Sequence, residues 1–220
     1  MGSSIRLDLL EKLVCETRTD DGTRIYKTPV GAFPSVTTIL KETSDRSWLK
    51  NWQKRVGKKK AQQIGKEASE RGNALHAMVE TYLLTGKPGC GPWWDSVAHV
   101  LQDIDNVRLV EGPVWHEGLK FAGTVDLIAD YRGQPVVLDW KTSSRVKERG
   151  QITDYIIQTS AYAGSANILY KAQGVKIGQS VVVIALEGQD AHVHQFGKDE
   201  LIIYWKQFTG RVQDYYASRA

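Results

Sequence analysis

One stretch constrains the fold more than any other part of the 220-residue chain: Gly123-Thr-Val-Asp126-Leu-Ile-Ala-Asp-Tyr131-Arg-Gly-Gln134-Pro-Val-Val-Leu-Asp139-Trp-Lys141-Thr-Ser143. Two strand-like runs flank Arg132-Gly133, a dipeptide suited to a two-residue hairpin turn. Counting outward from Tyr131–Gln134 sets Leu127 opposite Leu138 and Asp126 opposite Asp139. The alternation of an antiparallel ladder makes Asp126–Asp139 a non-hydrogen-bonded pair, the kind whose side chains lie closest. By the same count Pro135 falls at a non-hydrogen-bonded position, where its missing N–H does no harm. The register is therefore self-consistent.

Two carboxylates opposed at roughly 5 Å repel and destabilise a sheet. A cation between them removes the conflict, and oxygen ligands at that spacing suit Mg²⁺ or Mn²⁺. Lys141, two residues after Asp139, points to the same face, and Trp140 points the other way into packing. Two acids and a lysine on one face form a small catalytic set. A metal there activates a water and screens a phosphate; the lysine orients that water or stabilises transition-state charge. A surface patch with a Lys–Asp pair is the alternative. The apolar run Val136-Val137-Leu138 that leads into Asp139, and the second acid in register, favour the catalytic set.

The rest of the chain places this hairpin in an α/β (α+β) order. Residues 5–30 read as a short strand or hairpin turning at Asp20-Asp21-Gly22, and Ser35 caps a helix that follows Pro34. Helices are expected over 46–64, 66–85 and 93–105, strands over 107–117, 121–131 and 134–142, a helix over 152–172, strands over 180–187 and 190–196, and a last helix over 199–218. The whole forms one domain, 1–220. Within it, 1–65 is a basic, helical addition and 66–220 a sheet core with its C-terminal helix.

Charge is unevenly spread. Residues 41–71 hold ten Lys/Arg against four Asp/Glu, a net +6, while the whole chain carries only +4. Trp48 and Trp52, four apart, share a helix face in that block. The block is either a solvated helix face or a guide for a nucleic-acid strand, with cations for phosphates and rings for bases. Two cysteines cannot build a disulfide framework or a cysteine metal cluster, which excludes an iron–sulfur centre. Gly57 and Gly65 are spaced wrongly for a phosphate-binding loop, so no ATP site is expected. No apolar run is long enough for a membrane helix. The opening residues resemble neither a secretory signal nor a transit peptide, which leads to an expected cytoplasmic location, bacterial or in a phage-infected host.

The strings VVLDWKTS and GTVDLIADYRG, with Gln158-x-x-x-Tyr162 and His76 on helices before and after, resemble the PD-(D/E)XK nuclease superfamily in its RecB-like exonuclease branch. The likeness covers about 30–185. It implies a restriction-endonuclease-like core with a mixed central sheet flanked by helices. It implies that Asp126, Asp139, the Trp140 carbonyl and His76 bind the metal, and that Lys141 is the catalytic lysine. It also implies that Gln158 and Tyr162 stand beside the site, and that Ser35 and Thr37 of Pro34-Ser-Val-Thr37 hold DNA phosphates. Arg71, Trp48, Trp52 and Thr142 complete the expected DNA contacts. By the residues alone, His76 at the edge of an apolar stripe also reads as a core histidine, and Gln158–Tyr162 as a packing pair. Glu111 reads as a solvated acid, as an acid standing behind the metal ligands, or as a distant ligand.

The expectation is a Mg²⁺-dependent deoxyribonuclease, with Mn²⁺ as substitute, that digests DNA from single-stranded ends or flaps in replication, repair or recombination. Its rivals are a duplex-end recombination exonuclease and a non-catalytic nucleic-acid-binding module of the same fold. Single-stranded DNA is the expected partner, with self-association or a recombination or replication protein as further partners.

Overall fold

A computed structural model describes residues 5–20 and 23–219; Asp21 and Gly22 of the expected turn lie outside this range. The chain begins with a small antiparallel sheet of β1 (Glu16–Asp20), β2 (Thr23–Thr28) and β3 (Gly31–Pro34). Four helices follow: α1 (Val36–Thr43), α2 (Ser47–Val56), α3 (Lys58–Thr85) and α4 (Pro92–Leu101). Then come β4 (Ile104–His116), β5 (Phe121–Tyr131), β6 (Gln134–Ser143), α5 (Thr153–Leu169), β7 (Gln179–Leu186), β8 (Gln189–Phe196) and α6 (Lys198–Ala217).

The main sheet has the order β4-β5-β6-β7-β8. Every neighbouring pair is antiparallel except β6–β7, which α5 joins as a parallel crossover. The sheet is thus mixed and flanked by helices, as expected. Because successive side chains alternate, β6 feeds both faces: Val137 packs with α1, α5 and α6, while Leu138 and Trp140 pack with α3 and α4. α5 is the most enclosed helix, buried along nearly its whole length from Ile156 to Ala166, because β-strands lie beneath it and α6 beside it. Among the described residues no helix is long and apolar enough to cross a membrane.

The hairpin register is the expected one from Tyr131–Gln134 to Leu127–Leu138. Arg132 (φ 51°) and Gly133 (φ 75°) both adopt the left-handed conformation of a tight hairpin turn. Beyond Leu127 the ladder stops, so Asp126 and Asp139 do not form a regular pair. A continued ladder would match Trp140 with Val125; instead the Asp126 carboxylate takes the Trp140 N–H at 2.8 Å.

Two boundaries differ from expectation. The long basic region breaks at Gly57 (φ 86°), not at Gly65, and α3 runs unbroken through positions 65 and 66. Only a positive φ forces a glycine to end a helix, and Gly65 keeps helical backbone. Gly31–Pro34 forms a third strand that the sequence reading did not separate from the hairpin before it.

Candidate active site

Three structural units meet at one cleft of about 480 Å³. The small sheet contributes Arg24 and Tyr26, and α1 contributes Thr37. α3 contributes Asn73, His76, Ala77 and Glu80, and α5 contributes Gln158 and Tyr162. The main sheet supplies Glu111, Thr124, Asp126 and Lys141.

Asp139 is 1% exposed. Its Oδ1 accepts from Gln158 Nε2 at 3.1 Å, and Gln158 Nε2 also lies 3.3 Å from the Tyr162 hydroxyl. Its Oδ2 is ion-paired with the Lys141 ammonium. The Lys141 ammonium also stands 5.2 Å above the Tyr155 ring. Burial opposes the charge on Lys141, but Asp139 and Asp126 outweigh it and raise its pKa.

Asp126 sits at the centre of β5 and is buried. Burial first, and then the charge of Asp139, push its carboxyl from 3.8 up to about 7, against the pull of Lys141 and His76. His76 touches two acceptors: Nδ1 lies 2.9 Å from Glu111 Oε1, and Nε2 lies 3.0 Å from the Trp140 carbonyl. Nε2 is also 3.7 Å from Asp126 Oδ2. With a carboxylate on one nitrogen and a carbonyl on the other, the ring donates from both and is an imidazolium. Burial opposes this, yet the Glu111 hydrogen bond and the charges of Asp126 and Glu111 raise the ring from 6.5 to about 9.

The donor set suits a hard divalent cation. One ligand atom each from His76, Glu111 and Asp126 lies within 4.8 Å of the others. The Trp140 carbonyl, 3.0 Å from His76 Nε2, borders the same space, and the Asp139 carboxylate is near enough for its charge to act on Asp126. Carboxylate and carbonyl oxygens with one imidazole fit Mg²⁺ or Mn²⁺ better than a soft metal.

The structure brings Asp126, Asp139, Lys141, His76, the Trp140 carbonyl, Gln158, Tyr162 and Thr37 to one place. The Trp140 ring packs on the opposite face, as expected. Arg71 Nε donates to Thr142 Oγ1 at 3.2 Å and its guanidinium lies 4.7 Å over Trp93, at the Lys141 end of β6. Trp48, 67% exposed, lines a neighbouring cleft that shares Thr37 and Gln158 with the first. Trp52 is half-buried and lines neither cleft. Ser35 caps α1, as expected: its buried hydroxyl accepts from the Thr38 N–H at 2.9 Å and donates to Thr38 Oγ1 at 2.8 Å, so it is engaged within the helix start.

The lining groups that went unread in sequence include Tyr26, Thr124, Glu80 and Arg24. Two carried a local signal. Thr124 is two residues before Asp126 in one strand, and Glu80 is one helical turn beyond His76. Tyr26 and Arg24 carried none. The Tyr26 hydroxyl reaches Thr124 Oγ1 at 2.9 Å across a separation of 98 residues.

A sequence model of the PD-(D/E)XK nuclease superfamily matches residues 36–201. The mitochondrial genome maintenance exonuclease 1 of Mus musculus is 32% identical over 225 residues, covering 93% of this chain and 66% of that protein. The Xenopus tropicalis protein of the same name is 31% identical, covering 84% of this chain and 58% of its own length. The Homo sapiens protein is 31% identical, covering 83% and 58%. The chain therefore spans 58% to 66% of the length of these relatives.

Proposed function

This chain belongs to the PD-(D/E)XK nuclease superfamily, and on that premise we propose that it is a Mg²⁺-dependent DNA exonuclease acting on single-stranded ends or flaps. The observation that carries the reading is the convergence of Asp126, Lys141 and His76 on one cleft, with buried Asp139 ion-paired to Lys141 and hydrogen-bonded to Gln158 behind it. Asp126, Asp139, the Trp140 carbonyl and His76 hold the cation. A divalent cation there supplies charge neutralisation at the scissile phosphate and acidifies water.

The chain's own residues do the rest. Lys141, held by Asp139 and the Tyr155 ring, orients the attacking water and screens the developing negative charge. Water oxygen bonds to phosphorus, the ester P–O bond breaks, and the proton passes to the leaving oxygen. Gln158 and Tyr162 fix the Asp139 carboxylate in place. Thr37 and Arg71 bind flanking phosphates.

Preference for a single strand is supported by α2, which buries none of its residues and exposes Trp48 beside Lys50, Lys54 and Arg55. An unpaired base offers a free face for such a ring, and a duplex does not. The relatives' name supports digestion from an end.

End-labelled single-stranded, duplex, flap and sealed circular DNAs incubated with Mg²⁺ test the proposal. Linear single strands and flaps are expected to be shortened and circles to survive. Asp139→Ala and Lys141→Ala are expected to abolish cleavage, by 10²-fold or more, while circular dichroism stays that of the wild type. Near-normal digestion by either variant overturns the site assignment, and cleavage of circles overturns exonuclease action.

A further inference from the structure

We propose that Glu111 is a positioning residue: it takes the Nδ1 proton of His76 and thereby turns the Nε2 edge of that ring toward the space bounded by Asp126, Asp139 and the Trp140 carbonyl. The inference rests on the proposed metal-dependent nuclease and adds a residue to it. Four observations support it.

The first is connectivity. Glu111 Oε1 lies 2.9 Å from His76 Nδ1, while Nε2 of the same ring faces the Trp140 carbonyl at 3.0 Å and Asp126 at 3.7 Å. The two nitrogens thus have separate tasks, one toward Glu111 and one toward the site. A carboxylate on the far nitrogen is the common way to orient a metal-facing imidazole and hold one tautomer. The second is register. The ladder pairs Val110 with Leu127 and Gly112 with Val125, which brackets Glu111 opposite Asp126, although these two do not pair themselves. Glu111 therefore stands across from the central acid of the cleft.

The third is backbone conformation. Glu111 has φ 44° inside β4, in the left-handed region that side chains longer than asparagine rarely adopt. Such conformations persist where surrounding structure over-determines them, and they cluster at functional sites. The fourth is local packing. A Cβ at the next residue, Gly112, would lie 2.4 Å from Leu109 Cδ1. The chain is thus held close to Leu109 immediately after Glu111. A solvated glutamate requires none of this.

The test uses the full chain labelled with ¹⁵N-histidine, with the His76 signals assigned by comparison with His76→Asn. In the metal-free wild type a proton is expected on Nδ1. Glu111→Gln, whose amide oxygen accepts the same proton, is expected to keep it. Glu111→Ala is expected to lose it, and so is Glu111→Asp, which keeps the charge but shortens the reach and guards against a misfolded alanine variant. Free Mn²⁺ measured by electron paramagnetic resonance gives the dissociation constant. That constant is expected to rise by about 10- to 100-fold in the Ala and Asp variants, and by less in Gln.

Wild-type protonation and wild-type Mn²⁺ affinity in the Ala and Asp variants overturn the inference. So does loss of one bound Mn²⁺ per chain in all three variants, which would make Glu111 a ligand. Asp139→Asn separates the two levels. If it abolishes Mn²⁺ binding while the Glu111 variants bind normally, only the role of Glu111 falls. If it too binds Mn²⁺ like the wild type, the metal site itself is wrong and the inference falls with it.

Discussion

At Asp126 burial and the Asp139 charge both favour the protonated carboxyl, so the folded, metal-free protein holds a proton that the unfolded chain releases near 3.8. A carboxyl raised to about 7 lends stability that is complete below its unfolded value and is lost as pH climbs through 7. His76 acts in the same sense higher up: raised from 6.5 to about 9, its contribution is complete below 6.5 and gone above 9. A cation competes with both protons. The metal-free protein is therefore expected to melt lower at about pH 8.5 than at about pH 6, and Mg²⁺ or Mn²⁺ to raise the melting temperature more at the higher pH. Asp126→Asn should flatten the part of the trend below pH 7. Melting curves that do not change with pH, or metal stabilisation that is larger at the acid end, contradict this account. The acids and the lysine were legible one residue at a time because each lies at a fixed count from the turn. Glu111 was left open, because nothing in its own neighbourhood shows that His76 on a distant helix supplies its partner.

The β5–β6 hairpin is the element whose reading needed no tertiary information. Its turn residues, its Pro135 and its alternating apolar positions all agree on one register, and a slip of one residue would turn every side chain to the wrong face. The end of its ladder was not legible, since the Trp140 N–H trades a backbone partner for the Asp126 side chain. Gly123, three residues before Asp126, shows how tightly the next layer sits. A Cβ there would lie 2.4 Å from the Tyr162 ring on α5. Gly123→Ala is accordingly expected to destabilise the fold by about 1–3 kcal/mol through overpacking. It should also lower nuclease activity, by pushing Tyr162 and Gln158 away from Asp139. Denaturant melts and turnover rates together check this; a variant as stable and as active as the wild type would show that α5 moves freely over β5. Helix boundaries were less legible. Gly57 and Gly65 look alike in a basic run, and only the backbone angle at Gly57 distinguishes the break from the continuation.

Across the whole molecule the charge separates into a basic block over 41–71, net +6, and a remainder that is net negative and holds the acidic cleft. α2 and the first turns of α3 carry most of that block on exposed surface, with Lys58, Lys59 and Lys60 all exposed. Replacing Lys54, Lys58 and Lys60 by Glu is expected to leave the melting temperature within a few degrees and to weaken binding of a single-stranded oligonucleotide. If each lysine meets one phosphate, the slope of log affinity against log salt becomes shallower by about 2. An unchanged slope would return the block to the role of a solvated face. Local rules in the chain were enough for the hairpin, for most of the order of helices and strands, for placing Asp126, Asp139 and Lys141 on one face, and for the charge division. Periodicity, turn chemistry and composition act over a few residues, and those features are a few residues long. Packing alone decided that the small N-terminal sheet closes the cleft through Tyr26 and Thr124, and that Glu111 meets His76. Those contacts join residues that lie far apart in sequence. Burial and hydrogen bonding settle them only once the layers have assembled.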